Sequence, residues 1–245
     1  MGRLTWWGAT DTGRSRENNE DAWHVAEALR AAILADGIGG HNCGEVGSAV
    51  TIEGVTEYLQ APEPGLTLEG VAKEAIRAAN RRVLDAARER PECSGMGSTI
   101  VLALWHLPEI LIANVGDSRA YLWRAGALRQ LSYDQNFANE LRTRLGFSEE
   151  RVRAMPNGGV LTMAVGSYPQ VQVRTHTELL EPGDQILLCS DGLHGPVDED
   201  TIARILSEDS TLREKVGRLI DCANENGGPD NVTAVVLQYK DEADG

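Results

Sequence analysis

Five aspartates stand where apolar, strand-like runs begin or end, and this placement restricts the chain more than any other feature. Asp21 precedes AWHVAE, Asp36 follows AAILA, Asp117 follows ILIANVG, Asp191 follows DQILLCS, and Asp230 lies in GGPDN ahead of VTAVVLQ. Strand formation disfavours Asp, and burying its charge is costly. Hard divalent cations offset that cost, and Mg²⁺ or Mn²⁺ prefers oxygen ligands of this kind. Taken singly, each aspartate reads as well as a turn residue, since Asp-Gly is an ordinary turn signal. Together they point further, because ADGIGGH and CSDGLHG carry more glycine than a two-residue turn needs. The pattern indicates a carboxylate-built metal site on a β-rich scaffold.

Charge narrows the partners. Lysine and arginine number 23 against 37 aspartates and glutamates, a net charge of −14. Such acidity argues against sequence-independent nucleic-acid binding and against docking on anionic membranes, both of which need a basic face. Phosphate handled by this chain must meet positive charge supplied locally, by metal ions or a few arginines. The 245 residues, 42% of them hydrophobic, suffice for one large globular domain. Cys43, Cys93, Cys189 and Cys222 form no C-x-x-C pair, and the histidines are not spaced as zinc partners to them. The cysteines therefore read as free thiols in a reducing cytosol, with Cys189 a small core residue. The start MGRLTWWGATD has no apolar stretch of signal-peptide type, and no run approaches a membrane span, so a cytoplasmic location is expected.

Periodicity divides the chain into strands and helices. Residues 4–10, 22–27 and 31–35 read as short strands and 44–60 as a helix. A stronger helix is expected at 67–90, where Leu68, Val71, Ala75, Ile76, Ala79 and Val83 share one face, Thr67 marks the start and Pro91 the end. STIVLALWHL, EILIANV and SRAYLWRAG, within 98–132, suggest an antiparallel meander. Residues 134–160 break the pattern with a short helix around ANELRTRL and a polar stretch, MPNGG. Strands return at 171–178 and 184–190, followed by helices at 198–207 and 210–226 and a last strand at 231–239. This order fits α+β rather than alternating βαβ, in one domain spanning 1–245 with a surface excursion at about 134–160. Arg142, Arg144, Arg151 and Arg153 in that excursion fit a solvated helix face or a phosphopeptide contact equally well.

The segments TDTGRSRENNEDAW (10–23), LADGIGGHNCGE (34–45), GMGSTIVLAL (95–104), ANVGDSRAYL (113–122), LSYDQ (131–135), LTMAVGS (161–167), LLCSDGLHGPV (187–197) and GPDNVTAVVL (228–237) span almost the whole chain. In that order they resemble the metal-dependent protein phosphatases of the 2C (PPM) family, in their bacterial form. The resemblance implies a four-layer αββα sandwich, two antiparallel sheets flanked by helical pairs, with a two-metal centre at one edge. It implies that Asp36 bridges two ions, with the Gly37 carbonyl on one of them. Asp191 and Asp230 would complete one ion's shell. Asp21 would lie at the same centre, with Glu20 helping from behind. Asp117 and Asp191 would hold a third, weaker ion, and Arg16 the substrate phosphate. Residues 134–160 match a flap that shapes substrate access, where Arg142 and Arg144 would touch a protein substrate.

Those residue types suit the chemistry. A phosphate monoester dianion repels nucleophiles, and a pair of divalent ions can activate water and neutralise developing charge. An arginine fork fits phosphate oxygens bidentately. The implied activity is Mn²⁺- or Mg²⁺-dependent hydrolysis of phosphoserine and phosphothreonine in proteins, opposing a bacterial Ser/Thr kinase. Its partners would be phosphorylated proteins, and the enzyme a monomer. The chain also departs from the family pattern. Ile38 stands where eukaryotic relatives place a histidine, the proposed general acid; His41 is the nearest substitute unless it serves only its glycine-rich loop, and a metal-bound water could instead protonate the leaving alkoxide. Gln135 replaces the usual His of an Asp-His pair, and Met163 the Arg of a Leu-Thr-Arg run. A catalytically weak phosphoprotein-binding module and a hydrolase of small phosphate esters remain alternative readings.

Overall fold

The computed structural model describes residues 2–39, 43–148, 151–152 and 158–241. Strands β1 (Arg3–Asp11), β2 (Asp21–Ala26), β3 (Ala31–Ile38), β4 (Gly97–Ser98), β5 (Ile100–His106) and β6 (Glu109–Val115) precede β7 (Arg119–Arg124), β8 (Ala127–Gln130), β9 (Arg174–Leu179), β10 (Gln185–Cys189) and β11 (Val232–Lys240). They form two sheets, one ordered β1-β11-β10-β7-β8 and the other β2-β3-β5-β6-β9, with β4 paired to β3. Every pairing recorded between strands is antiparallel.

Both faces of each sheet are covered, which explains why the central strands read as continuous apolar runs. In β3, Ala32 and Leu34 join the cluster between the sheets, while Ala31 and Ile33 join the cluster against α1 (Gly44–Gln60) and α2 (Leu68–Glu89). In β10, Ile186 and Leu188 point between the sheets, whereas Leu187 and Cys189 pack with residues of α5 (Glu199–Leu206) and α6 (Leu212–Glu225). Strand alternation thus produces three apolar layers and the expected four-layer αββα sandwich. Each fully buried Val, Leu or Ile contributes about 1.5–3 kcal/mol. The start signal of α2 acts as expected: the Thr67 hydroxyl accepts from the Gly70 backbone N–H at 3.1 Å. The expected strand at 171–178 begins at Arg174, and Asp191 opens a short helical turn, α4 (Asp191–His194).

Two features refine the sequence reading. The excursion holds α3 (Phe137–Leu145), capped by Asn136, whose side chain accepts from Asn139 N at 3.0 Å. The cysteines require a correction. Cys43 and Cys93 are joined by a disulfide, and the free thiols are Cys189 and Cys222. Their 50-residue separation hid the pair, because only the packing of α1 and α2 brings Cys43, at the start of α1, against Cys93 beyond α2. No helix among the described residues is long and apolar enough to cross a membrane.

Closing a loop of that size restricts the unfolded chain by about 4 kcal/mol. Replacing both Cys43 and Cys93 by Ser is expected to lower Tm by about 10 °C, read by differential scanning calorimetry. An unchanged Tm in oxidising buffer would show that the bridge contributes nothing to folding.

Candidate metal centre and substrate cavity

The strand ends of both sheets deliver the five aspartates to one place. Asp21 and Asp36 are directly opposed partners of β2 and β3. Asp117 follows β6 across Gly116, which holds φ +94° and lies so close to Thr99 that a Cβ would meet its side chain at 2.7 Å. Asp191 is the first residue of α4, directly beyond β10, and Asp230 lies two residues before β11. A cavity of about 500 Å³ is lined by Asp36, Gly37, Asp117, Asp191 and Asp230 together with Arg16 and Glu20. Gly37 has backbone on every side: a Cβ there would stand 2.1 Å from the Gly44 carbonyl oxygen and 2.6 Å from that of Glu20.

Asp21 joins the two sheets beside that cavity. Its Oδ2 accepts from the Ser190 hydroxyl at 2.7 Å and the Thr233 hydroxyl at 2.6 Å, both from the sheet opposite its own. Its Oδ1 is buried with no hydrogen-bond partner. Burial pushes its carboxyl up to about 6, with Asp191 and Asp230 raising it further against the two hydroxyls. Asp36 is raised well above the usual carboxylate range by burial and by Asp21, Asp191, Asp117 and Asp230. Burial and Asp230 raise Asp191, which hydrogen-bonds with Asp36. Asp117 is pushed up to about 7 by burial and by Asp191, although it accepts from the Asn136 amide at 3.0 Å. These are strained electrostatics: several carboxylates share one low-dielectric site with little positive charge.

Arg16 is the cation at the rim. Its guanidinium lies 2.7 Å from Asp230 Oδ2 and is half-exposed, so it is free to turn toward solvent. The loop that carries it is stapled by Asn231, whose amide donates to the carbonyls of Thr12 and Asn18 and accepts from Glu20 N. Asp36 is fixed through its backbone, its N–H donating to Thr99 Oγ1 and its carbonyl accepting from Ser98 Oγ. Glu20 lines the same cavity, its carboxyl raised chiefly by burial.

Not every expected residue meets there. Arg142 lines a separate cleft with Arg119, Asp134, His194 and Glu199, and it donates to Asn139 Oδ1. Arg144 pairs with Glu140 on the surface of α3. His41, with its neighbours Gly40 and Asn42, lies outside the described residues, as does Arg153. Other contributors carried no sequence signal of their own. Asn136 caps α3 and holds Asp117, while His194, pushed down to about 4 by burial, donates from Nε2 to the Asp117 carbonyl at 3.0 Å. Asn231 stood in view beside Asp230 in GPDN, but its staples reach 213 and 219 residues back.

The donor set suits hard divalent cations. It is all oxygen, and the buried, partnerless Oδ1 of Asp21 and the mutually raised carboxylates are groups that a cation would satisfy. Among the described residues no three acidic, imidazole or thiol side chains are already closed on one ion position.

Two stacked antiparallel sheets with helices on both outer faces, and a carboxylate cavity at the strand ends, define a metal-phosphatase type of architecture. The protein phosphatase 2C family profile matches residues 10–236, and the chain belongs to that family. It is 35% identical over 235 residues to the serine/threonine phosphatase stp of Listeria monocytogenes, covering 94% of this chain and 93% of that protein. The crystal structure of the Mycobacterium tuberculosis serine/threonine phosphatase PstP/Ppp superposes with a TM-score of 0.89 at 34% identity, covering 98% of this chain and 100% of that one. A PstP catalytic domain in complex with two manganese ions gives 0.86 at 34% identity, over 97% and 99% of the two chains.

Protons and divalent ions compete for the same oxygens. With Asp117 raised to about 7 and Asp21 to about 6, Asp117 keeps a partial proton at neutrality and Asp21 gains one just below it in the metal-free protein. Mn²⁺ binding is expected to release protons and to tighten as the pH rises through that window. Calorimetry in buffers of different ionisation enthalpy reads the released protons directly. Affinity independent of pH, with no proton release, would remove these carboxylates from the binding site.

Proposed function

We propose that this chain hydrolyses phosphoserine and phosphothreonine in proteins, with divalent ions held by Asp36, Gly37, Asp191, Asp230 and Asp21 and a weaker one by Asp117 and Asp191. The observation that carries the reading is Arg16 at the rim of a cavity whose charged lining is otherwise carboxylates. Such a site would repel an anionic substrate, so an arginine there has a reason beyond neutralisation. When bound, two Mn²⁺ or Mg²⁺ ions would supply an activated water and neutralise charge on the phosphoryl group.

The chain's own residues do the rest. Arg16 leaves Asp230 and takes two phosphate oxygens in its planar fork, which orients the ester for in-line attack. Asn231 keeps the Arg16 loop in register, so the fork enters from a fixed direction. Thr99 and Ser98 hold Asp36 by its backbone and leave its carboxylate free for a ligand. Ile38 lines the cavity but has no proton to give a leaving alkoxide. His194 lines the separate cleft and stays neutral, bound to the Asp117 carbonyl. The acid would be His41 or a metal-bound water. Arg142 and Arg144, from outside the cavity, would touch a peptide only beyond its phosphorylated residue. Gln135 and Met163 replace no carboxylate, which favours an active enzyme over a binding module. The phosphoproteins would be products of a bacterial Ser/Thr kinase, met by a monomeric phosphatase in the cytoplasm. A disulfide there is unusual and typically transient or redox-sensing.

Metal removal and substitution at Asp36 and Arg16 test the assignment. Chelation should abolish turnover of a phosphothreonine peptide and Mn²⁺ restore it, while Asp36→Asn lowers kcat at least roughly a hundredfold. The same substitution should raise Tm of the metal-free protein by about 2–4 °C for each kcal/mol of repulsion relieved. Full activity in protein shown metal-free by elemental analysis would end the proposal. Arg16→Ala should raise KM more than it lowers kcat, and an unchanged KM would reassign that arginine.

A further inference from the structure

The cavity has a second chemical character. Beside its acidic end it is lined by Ile38, Val160, Leu161, Met163, Ala164 and Tyr168. Val160 keeps 58% and Tyr168 46% of its surface exposed. Single exposed apolar residues are common and mean little, but an apolar wall within a ligand-sized cavity is a binding surface by its chemistry. Ile38 and Met163, two of the sequence's departures from the family pattern, both stand on it.

The wall is held in place from behind. The Val160 carbonyl accepts from Phe137 N at 2.8 Å, and Thr162 N donates to the Gln135 carbonyl at 2.8 Å. Tyr168 closes a turn clamped from α2 by Asn80, which is only 2% exposed. The Asn80 amide donates to the Tyr168 carbonyl at 2.9 Å, and its Oδ1 accepts from Gly166 N at 2.7 Å. A backbone fixed at both places presents Val160 and Tyr168 with little ordering left to be done on binding.

We propose that this wall is a specificity subsite that takes one apolar side chain from the residue next to the phosphorylated serine or threonine. The inference rests on the phosphatase reading above and adds to it the class of substrate preferred. Once Arg16 holds the phosphate, the adjoining peptide must lie within or at the edge of the same 500 Å³ cavity. An apolar neighbour covers Val160 and Tyr168 and sheds water from both sides. A polar neighbour is stripped of water there and finds the Tyr168 hydroxyl as its one side-chain partner beside Ile38, Val160, Leu161, Met163 and Ala164. Discrimination follows from chemistry, independent of the net charge of the peptide.

The test compares three phosphothreonine peptides alike except beside the phosphoresidue, which carry Leu, the near-isosteric Asn, or Gly. For the unaltered enzyme with Mn²⁺, kcat/KM for the Leu peptide is expected to exceed that for the Asn peptide about tenfold. Val160→Ser combined with Tyr168→Ser should reduce that ratio to about two while the Gly peptide is turned over as before. Val160→Leu combined with Tyr168→Leu should keep the preference, because both apolar side chains are retained. Binding of the labelled Leu and Asn peptides to Asp36→Asn protein, followed by fluorescence polarisation, should show the same order without any turnover. Equal kcat/KM and equal binding for Leu and Asn would overturn the subsite, as would a preference that survives the double substitution. No turnover of any peptide, with the Leu preference still visible in binding, would sink the phosphatase reading and leave the subsite standing.

Discussion

Asp21 belongs to one sheet and takes both of its hydrogen bonds from the other. That contact places a carboxylate at the seam where strands of the two sheets end, and Asp36, its cross-strand partner, is buried beside it. Burying such groups together costs stability. A carboxyl with a raised pKa contributes fully only below its unfolded value and loses that contribution as the pH rises through the folded one. For Asp21 and Asp117 the loss is complete only above about 6 and about 7. At neutral pH the ion-free centre therefore works against the fold, and the three apolar layers on either side must hold it shut. A bound cation reverses the sign, since whatever binds only the native state stabilises it.

The same seam explains why the excursion after β8 is tied down at its root. Gln135 is almost fully buried; its side chain accepts from Gly116 N and donates to the Gln172 carbonyl, and its own backbone pairs with Gly116 and Thr162. Next to it, Asn136 uses one end of its amide to cap α3 and the other to hold Asp117. The position of α3 and the orientation of the Asp117 carboxylate are thus set by one side chain. Gln135 performs by hydrogen bonding what its position requires, namely joining the β6–β7 link to the segment that carries the cavity wall. Its departure from the family pattern leaves that junction intact.

Much of this was legible in the sequence for a physical reason. Strands β3, β6, β10 and β11 are covered on both faces, so their apolar runs were unbroken, and an aspartate at or beside the end of each such run stood out against them. Helix α2 announced itself through its single apolar face, Thr67 and Pro91. What could not be read depends on contacts between distant segments. The bridge between Cys43 and Cys93 needs α1 and α2 packed side by side. The staples from Asn231 and the clamp from Asn80 are ordinary asparagines until the chain folds. Arg142 and Arg144 show the limit from the other side: their charge and spacing were visible, but α3 turns them away from the cavity, toward Asn139 and Glu140.

Charge placement links the fold to the chemistry. With a net charge of −14, the protein repels phosphate at long range, so recognition has to be local and short-ranged. Arg16, proposed above to provide it, stands on a loop anchored by Asn231 and is paired with Asp230. The pair is solvent-exposed on both sides, so little is lost when the guanidinium exchanges a carboxylate for a phosphate. On the proposed reading, the Asp230 carboxylate that Arg16 leaves would keep the Asn231 N–H on Oδ1 and lose its cation on Oδ2, which in a cavity crowded with negative charge would favour a divalent ion. In that reading substrate and metal would be coupled through Asp230, each making room for the other, and the exposed apolar wall would act on the peptide without disturbing that exchange.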